Sequence, residues 1–490
     1  MKKITDRIKE KPWLGWVLFG ATILVVFIIG LFVSTIMERR GETYQLQQVG
    51  KPIGEWEPRL EVWGENFPRQ YETYMKTSDT TFASKYLGSG KIDLLEQNPK
   101  YVILWAGFAF SRDYGQARGH YYAITDVINS LRTVQPQPST CWTCKSSDVP
   151  RLMNEMGIDS FYRTPIKDLG HEVVNPIGCL DCHDPKTMNL RLSRPALIEA
   201  YQRQGIDPKN FSHQEMKSQV CAQCHSEYYF KGPGRYLVFP WDEGFTVEQM
   251  EKFYDDAEHT DWVHALSRAP MLKSQHPDYE IYKLGIHGKR GVACADCHMP
   301  YKTEGAVKFT DHHIQSPLSK IDRSCQVCHR ESEETLRQNV YSLQDKVKEL
   351  AKISEEALVK AHLEAKYAWD NGATEAMMKP VLTLIRHSQW RSDFVTSSLG
   401  AAFHAPSECL RILGTSIDKA QEARLELAKV FAELNVKKPV IDLANLTKAK
   451  AQEMIGLNME QIRSDKNEFL KNVLPVWEKK AAERQAKMNY

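Results

Sequence analysis

Ten of the eleven cysteines stand in five C-x-x-C pairs, and these pairs are the residues most plainly arranged for chemistry. Four pairs are followed at once by histidine: Cys179, Cys182 and His183; Cys221, Cys224 and His225; Cys294, Cys297 and His298; Cys325, Cys328 and His329. Two thiols at this spacing can form thioethers to the vinyl groups of one porphyrin, and the histidine then becomes the proximal iron ligand. In the fifth pair, Cys141 and Cys144, lysine follows instead, as Lys145. Zinc is the competing reading of such pairs. Zinc sites, however, couple C-x-x-C to a second pair or to H-x-x-x-H at fixed distances, and the gaps between these motifs vary widely. Four C-x-x-C-H motifs do not arise by accident in one chain. The pattern points to five covalent haem c groups rather than disulfides. Cys409 is left over and reads as a buried, unreactive thiol.

Imidazole ligands on both faces leave an iron only electron transfer to do. An iron held by one lysine amine keeps its other face open to a substrate. Lys145 must bind as the neutral amine, which burial and the iron's own charge favour. The bland alternative is a solvated lysine beside a haem without a protein ligand. Of the sixteen histidines, the four in motifs are proximal candidates, and four of the remaining twelve are needed as distal ligands. The others read as surface or hydrogen-bonded residues.

From about residue 60 through the C-terminal helices the chain resembles the pentahaem cytochrome c nitrite reductases, which form ammonium. The motifs that carry the resemblance are Cys-Trp-Thr-Cys-Lys at 141–145, Arg118-Gly119-His120-Tyr121-Tyr122, Ser130-Leu131-Arg132-Thr133, Glu227-Tyr228-Tyr229, and Lys273-Ser274-Gln275-His276-Pro277. The resemblance implies His120, His287, His312 and His404 as distal ligands, with the neighbouring His313 as an alternative to His312. It implies Arg132, Tyr228 and His276, with Lys145, as the catalytic set. It also implies a calcium ion held by Glu227, Gln275 and the carbonyls of Tyr228 and Lys273, a hard-oxygen set that suits calcium. The stretch from Arg132 to Cys141 is shorter than the family's.

These residue types fit the reaction. Reduction of nitrite to ammonium takes six electrons and eight protons, more than one iron can store, so four bis-histidine haems serve as wire and reservoir. A small anion needs fixed positive charge or donors above the open iron, and an arginine keeps its charge through every step. Tyr228 and His276 can donate hydrogen bonds or protons. Without the resemblance, Arg132 reads as a surface arginine and Tyr228 as a core aromatic. Two other functions remain open at this point. One is sulfite or hydroxylamine conversion at the same open haem. The other is a multihaem electron carrier, for which Lys145 has no use. The expected electron donor is a quinol-oxidising membrane cytochrome or a small haem protein, and the long C-terminal helices are expected to form a homodimer.

The elements that must position these residues are also legible. Length allows two ordinary domains, and a net charge of +2 gives no bulk attraction to nucleic acid or anionic membranes. Residues 1–12 form a basic tail. Residues 13–37 form an uncharged apolar run that as a helix would span roughly 37 Å, more than the ~30 Å hydrocarbon core. Ser34-Thr35-Ile36-Met37 is a poor cleavage site, so an uncleaved signal anchor is expected, with the tail cytoplasmic and the rest periplasmic. Residues 38–60 read as a tether and 61–330 as an irregular pentahaem catalytic domain with few strands. Residues 331–490 read as a helical region: one helix over 331–371, a second region over 374–435 broken near Pro380 and at 400–406, and a third over 446–485 bent at Gly456 and Pro475. The fold class is mainly α: a multihaem cytochrome c core with long C-terminal helices, preceded by one transmembrane helix.

Overall fold

Helix α1 (Trp13–Gln47) carries the apolar run. In the computed structural model, which describes residues 11–47, 50–134, 137–305 and 307–487, most of the basic tail lies outside the described residues. The stretch Trp13–Glu38 has a mean hydropathy of 2.8 and buries nothing against the chain, so it is long and apolar enough to cross a membrane. The helix does not stop at Met37. Glu, Arg and Gln are good helix formers and no proline intervenes before Pro52, so the first part of the expected tether continues the helix.

Between Leu60 and Ser324 the chain runs through short helices and 3-10 turns, among them α2 (Ala123–Asn129). Strands are confined to three antiparallel hairpins among the described residues. They are β1 (Tyr229–Lys231) with β2 (Tyr236–Val238), β3 (Trp262–Val263) with β4 (Pro270–Met271), and β5 (Tyr301–Glu304) with β6 (Val307–Thr310). Phe230 pairs with Leu237, Trp262 with Met271 and Thr303 with Lys308. Each hairpin abuts a stretch that bears chemistry. β1 begins directly after Tyr228, β4 ends two residues before Lys273, and β6 ends two residues before His312.

The C-terminal part is built from α3 (Glu333–Asp370), α4 (Glu375–Thr396), α5 (Ala401–His404), α6 (Pro406–Glu433), α7 (Lys448–Met454), α8 (Met459–Asn472) and α9 (Leu474–Gln485). Their starts follow from side-chain chemistry. The hydroxyls of Ser332 and Thr374 accept backbone N–H bonds at the starts of α3 and α4, and Pro406 and Pro475 occupy first-turn positions. Pro380 does not break α4, contrary to expectation. It sits near the N-terminus, where a single backbone bond is lost and the rest of the helix packs in the core. The break at 397–405 does occur, and it sets off α5 with His404.

Helices α3, α4 and α6 meet along small residues. Ser354 and Ser416 share a hydroxyl bond of 2.8 Å, and the Ser388 hydroxyl donates to the Ser416 carbonyl at 2.7 Å. Both large apolar clusters draw side chains from either side of residue 330. One joins Trp142, Leu152, Trp241 and Ile281 to Trp390, Phe394 and Ile412; the other joins Val102, Trp105 and Met271 to Leu358, Ile385 and Leu427. The last helix is locked as well. The ring of Trp477 lies where a Cβ on Gly170 would be, 2.2 Å from that position, so only glycine admits it.

Candidate active site and haem-binding residues

The first motif begins in the 3-10 turn Ser139–Trp142, with Trp142 buried. A fully buried arginine clamps it to the second motif. Arg194 Nε donates to the Thr143 carbonyl at 2.6 Å, and its Nη2 donates to the Ser146 carbonyl at 2.8 Å and to Asp181 Oδ1 at 2.6 Å. Asp181 is the residue between Leu180 and Cys182. Its other oxygen accepts from the Gly178 N–H at 2.7 Å, which holds the start of the motif helix. The thiols of neighbouring motifs also touch. Cys144 lies beside Cys224, and Cys221 beside Cys294. Haems attached here would be neighbours in the order first, third and fourth motif.

The eight histidines of interest meet in four facing pairs. Ring centroids are 6.4 Å apart for His120 and His225, and 6.3 Å for each of His183 with His312, His287 with His329, and His298 with His404. Two metal–nitrogen bonds of about 2 Å, with the ring radii added, call for a separation of about 6 Å, so each pair fits one iron. A contrasting pair shows the difference. His264 and His362 stack at 3.7 Å, buried among Ile103, Ser267 and Gln389, with no room between them. Of the two adjacent candidates, His312 faces His183. Its Nδ1 meets the Thr310 carbonyl at 2.8 Å, while the His313 carbonyl accepts from Lys320 at 2.6 Å. The loops of His287 and His404 cross at Gly285. A Cβ there would lie 1.8 Å from the His404 carbonyl oxygen, so the crossing requires glycine.

Arg132, Tyr228 and His276 gather around the first motif. The Arg132 guanidinium lies over the Phe110 ring, 4.4 Å from its centroid, and Nε donates to Ser130 Oγ at 3.1 Å. Asp113 supports that turn by accepting from Ser130 Oγ and from the Leu131 N–H, both at 2.9 Å. The rings of Tyr228 and His276 are 6.3 Å apart. Burial and the Cys144 and Cys141 thiols push the Tyr228 phenol well up, with Arg132 opposing. Burial, ahead of the neighbouring Lys145, pulls His276 down to about 3; burial by itself disfavours the charged ring, which leaves Arg132 as the fixed charge.

Beneath Tyr228 lie two fully buried carboxyls. Glu227 accepts from Ser274 Oγ at 2.9 Å, from the Gln275 N–H at 2.6 Å and from the Tyr254 hydroxyl at 3.3 Å. Glu280 Oε1 accepts from the Glu227 N–H at 2.8 Å and from Trp241 Nε1 at 2.7 Å, and its Oε2 has no partner among the described residues. Burial raises both acids, Glu280 to about 8. The nearby ammonium of Lys273 is turned to Asp393 at 3.1 Å. The amide of Gln275 meets the Lys273 carbonyl at 3.2 Å. A buried carboxylate beside a second acid, with carbonyl and amide oxygens at hand, fits a hard cation such as calcium.

Sequence reasoning missed Arg194, Asp181, Glu280 and Asp113: Asp181, inside the second motif, and Glu280, just past His276-Pro277, lie where a motif could have drawn attention to them, and nothing in the local sequence marks Arg194 or Asp113.

The cytochrome c552 family model matches residues 59–486. Relatives named cytochrome c-552 include those of Bacteroides thetaiotaomicron, 57% identical over 96% of this chain and 98% of its own, and Porphyromonas gingivalis, 54% identical over 96% and 97%. The cytochrome c-552 of Aliarcobacter butzleri is 43% identical over 95% of each chain. Among solved structures, the cytochrome c nitrite reductase of Desulfovibrio desulfuricans matches with a TM-score of 0.74 at 31% identity, covering 84% of this chain and 91% of that one. Motifs, fold and relatives agree: the chain belongs to the cytochrome c552 family, that of the cytochrome c nitrite reductases.

Proposed function

We propose that this protein reduces nitrite to ammonium at the first motif, with five haem c groups and calcium as cofactors. The observation that carries the reading is the division among the motifs. Four motif histidines each face a second histidine, whereas Lys145 takes the motif-histidine position near Arg132, Tyr228 and His276, and no histidine pair is centred on its motif among the described residues. A haem held by Cys141, Cys144 and Lys145 supplies electrons and a Lewis-acidic iron when bound. The chain's own residues do the rest. Arg132, propped by Phe110 and Ser130, binds the anion and keeps its charge as the N–O bonds are cleaved. The Tyr228 hydroxyl, held protonated by burial, and the neutral His276 ring offer hydrogen bonds to the oxygens of the anion, and the protons consumed come from solvent. Nitrite, eight protons and six electrons give ammonium and two waters.

Pairs His120–His225, His183–His312, His287–His329 and His298–His404 would carry four electron-transfer haems. Calcium at Glu227, Gln275 and the carbonyls of Tyr228 and Lys273 would tie the tyrosine strand to the His276 loop. The Desulfovibrio desulfuricans enzyme has two calcium sites in its catalytic subunit. Helix α1 would hold the enzyme on the periplasmic face of the cytoplasmic membrane, close to a quinol-oxidising cytochrome or a small haem donor. Pairing through the long C-terminal helices would give a homodimer.

The test is turnover of the purified holoprotein with reduced viologen and nitrite, with ammonium quantified. One ammonium per nitrite is expected. Electron transfer without nitrite consumption would establish the carrier instead.

A further inference from the structure

His225 differs from its counterparts in what its second ring nitrogen meets. Nδ1 of His183 meets the Met188 carbonyl, and Nδ1 of His298 meets the Gln315 carbonyl, each at 2.9 Å. Nδ1 of His225 meets a carboxylate instead, Asp278 Oδ2 at 3.4 Å. The other motif histidine with a carboxylate nearby, His329, has Glu331 at 4.0 Å, beyond hydrogen-bond reach. Asp278 is fixed from behind. The Ser398 hydroxyl donates to Oδ1 at 2.5 Å, and the Asp278 N–H donates to the His276 carbonyl at 2.7 Å. The Tyr279 N–H donates to the His225 carbonyl at 3.0 Å, so the two segments are stapled together.

The position of His225 makes this contact consequential. Its motif touches the first motif through Cys224 and Cys144, and the fourth through Cys221 and Cys294. An electron moving from the fourth motif to the Lys145 motif by this contact chain crosses the His225 centre. An imidazole whose Nε2 binds iron must carry its remaining proton on Nδ1. A carboxylate attracts that proton more strongly than a neutral carbonyl does, makes the ring a stronger donor to iron, and favours the oxidised metal.

We propose, resting on the haem assignment above, that Asp278 tunes the His225 centre to a lower reduction potential than those of His183 and His298. An electron arriving there is passed on to the Lys145 centre rather than stored. The same short segment thus carries His276, which faces the substrate, and the carboxylate that sets the potential of the last relay.

The experiment is a spectropotentiometric titration of the holoprotein, followed by absorbance and by the low-spin EPR signals. In Asp278→Asn, one low-spin centre should become easier to reduce by at least tenfold in its equilibrium constant, about 59 mV for one electron. The other centres should stay where they are. Asp278→Glu, which keeps the charge, should remain near wild type. If Asp278→Asn does not load its haems, Asp278→Ser carries the same expectation. An intact low-spin His225 centre whose potential does not move, or a uniform shift of all centres, overturns the proposal alone. A wild-type protein whose Cys221–Cys224 haem is missing or high-spin overturns the ligand assignment and this proposal with it.

Discussion

Lys466 reaches the turn that carries Arg132 from the far end of the chain: its Nζ donates to Thr133 Oγ1 at 3.0 Å and also to the Ile128 carbonyl. Ile128 lies in the last turn of α2, where carbonyls lack helical partners and the helix end attracts a cation. Thr133 passes the support on by donating to the carbonyls of Val127 at 3.1 Å and Ser130 at 2.9 Å.

Lys466→Met should therefore loosen the Arg132 turn. The KM for nitrite should rise about fivefold, roughly 1 kcal/mol, as expected for the loss of one buried hydrogen bond, with kcat little changed. Lys466→Arg should recover part of the loss. A pH effect follows as well. Burial pulls the Lys466 ammonium down to about 8, with Asp113 opposing. Between pH 8 and the ordinary lysine value the unfolded chain binds the extra proton, so this group's contribution to stability rises with pH there. The thermal midpoint of wild type should rise relative to that of Lys466→Met from pH 7 to pH 10. A constant difference would remove Lys466 as its source.

Lys145→His restores an ordinary C-x-x-C-H motif. Haem content should stay at the wild-type value, because attachment depends on Cys141 and Cys144. Nitrite turnover should fall at least tenfold, which needs only about 1.4 kcal/mol of lost transition-state stabilisation. A wild-type rate in this variant, measured by ammonium release, would show that lysine ligation is incidental.

Glu227→Ala removes the acceptor that binds the Ser274 hydroxyl and the Gln275 N–H to the tyrosine strand. Bound calcium and nitrite turnover should fall together while haem content is unchanged. Elemental analysis and pyridine haemochromogen spectra decide it. A wild-type protein without calcium refutes the site, and haem loss in the variant assigns Glu227 to the scaffold.

The apolar stretch of α1 should keep the mature protein with membranes after a carbonate wash, and N-terminal sequencing should find residues before Trp13. A soluble mature chain that starts near residue 38 would show that the stretch is a cleaved signal.

The haem-attachment motifs and an apolar run long enough to cross a membrane are local properties, so the sequence alone displayed them. Two thiols and a histidine within one turn form the attachment motif wherever it lies, and the length of an apolar run is read without reference to the rest of the fold. The long helices were legible for the same reason, since Ser332, Thr374 and Pro406 act within one turn. The path through Pro380 was not, because the packing of α4 outweighs the preference of a single residue.

Only tertiary structure decided which histidine meets which. His120 and His225, or His298 and His404, are about a hundred residues apart, and no periodicity links them. Adjacent residues point different ways, so the backbone bond from His312 to Thr73 turns one ring toward His183 and leaves His313 beside Lys320. The same holds for the supporting shell. Arg194, Glu280, Asp278 and Lys466 look like ordinary surface charges in the sequence. Their roles arise where distant segments close over them, because a charge taken out of water must find partners, and the fold brings those partners from elsewhere in the chain.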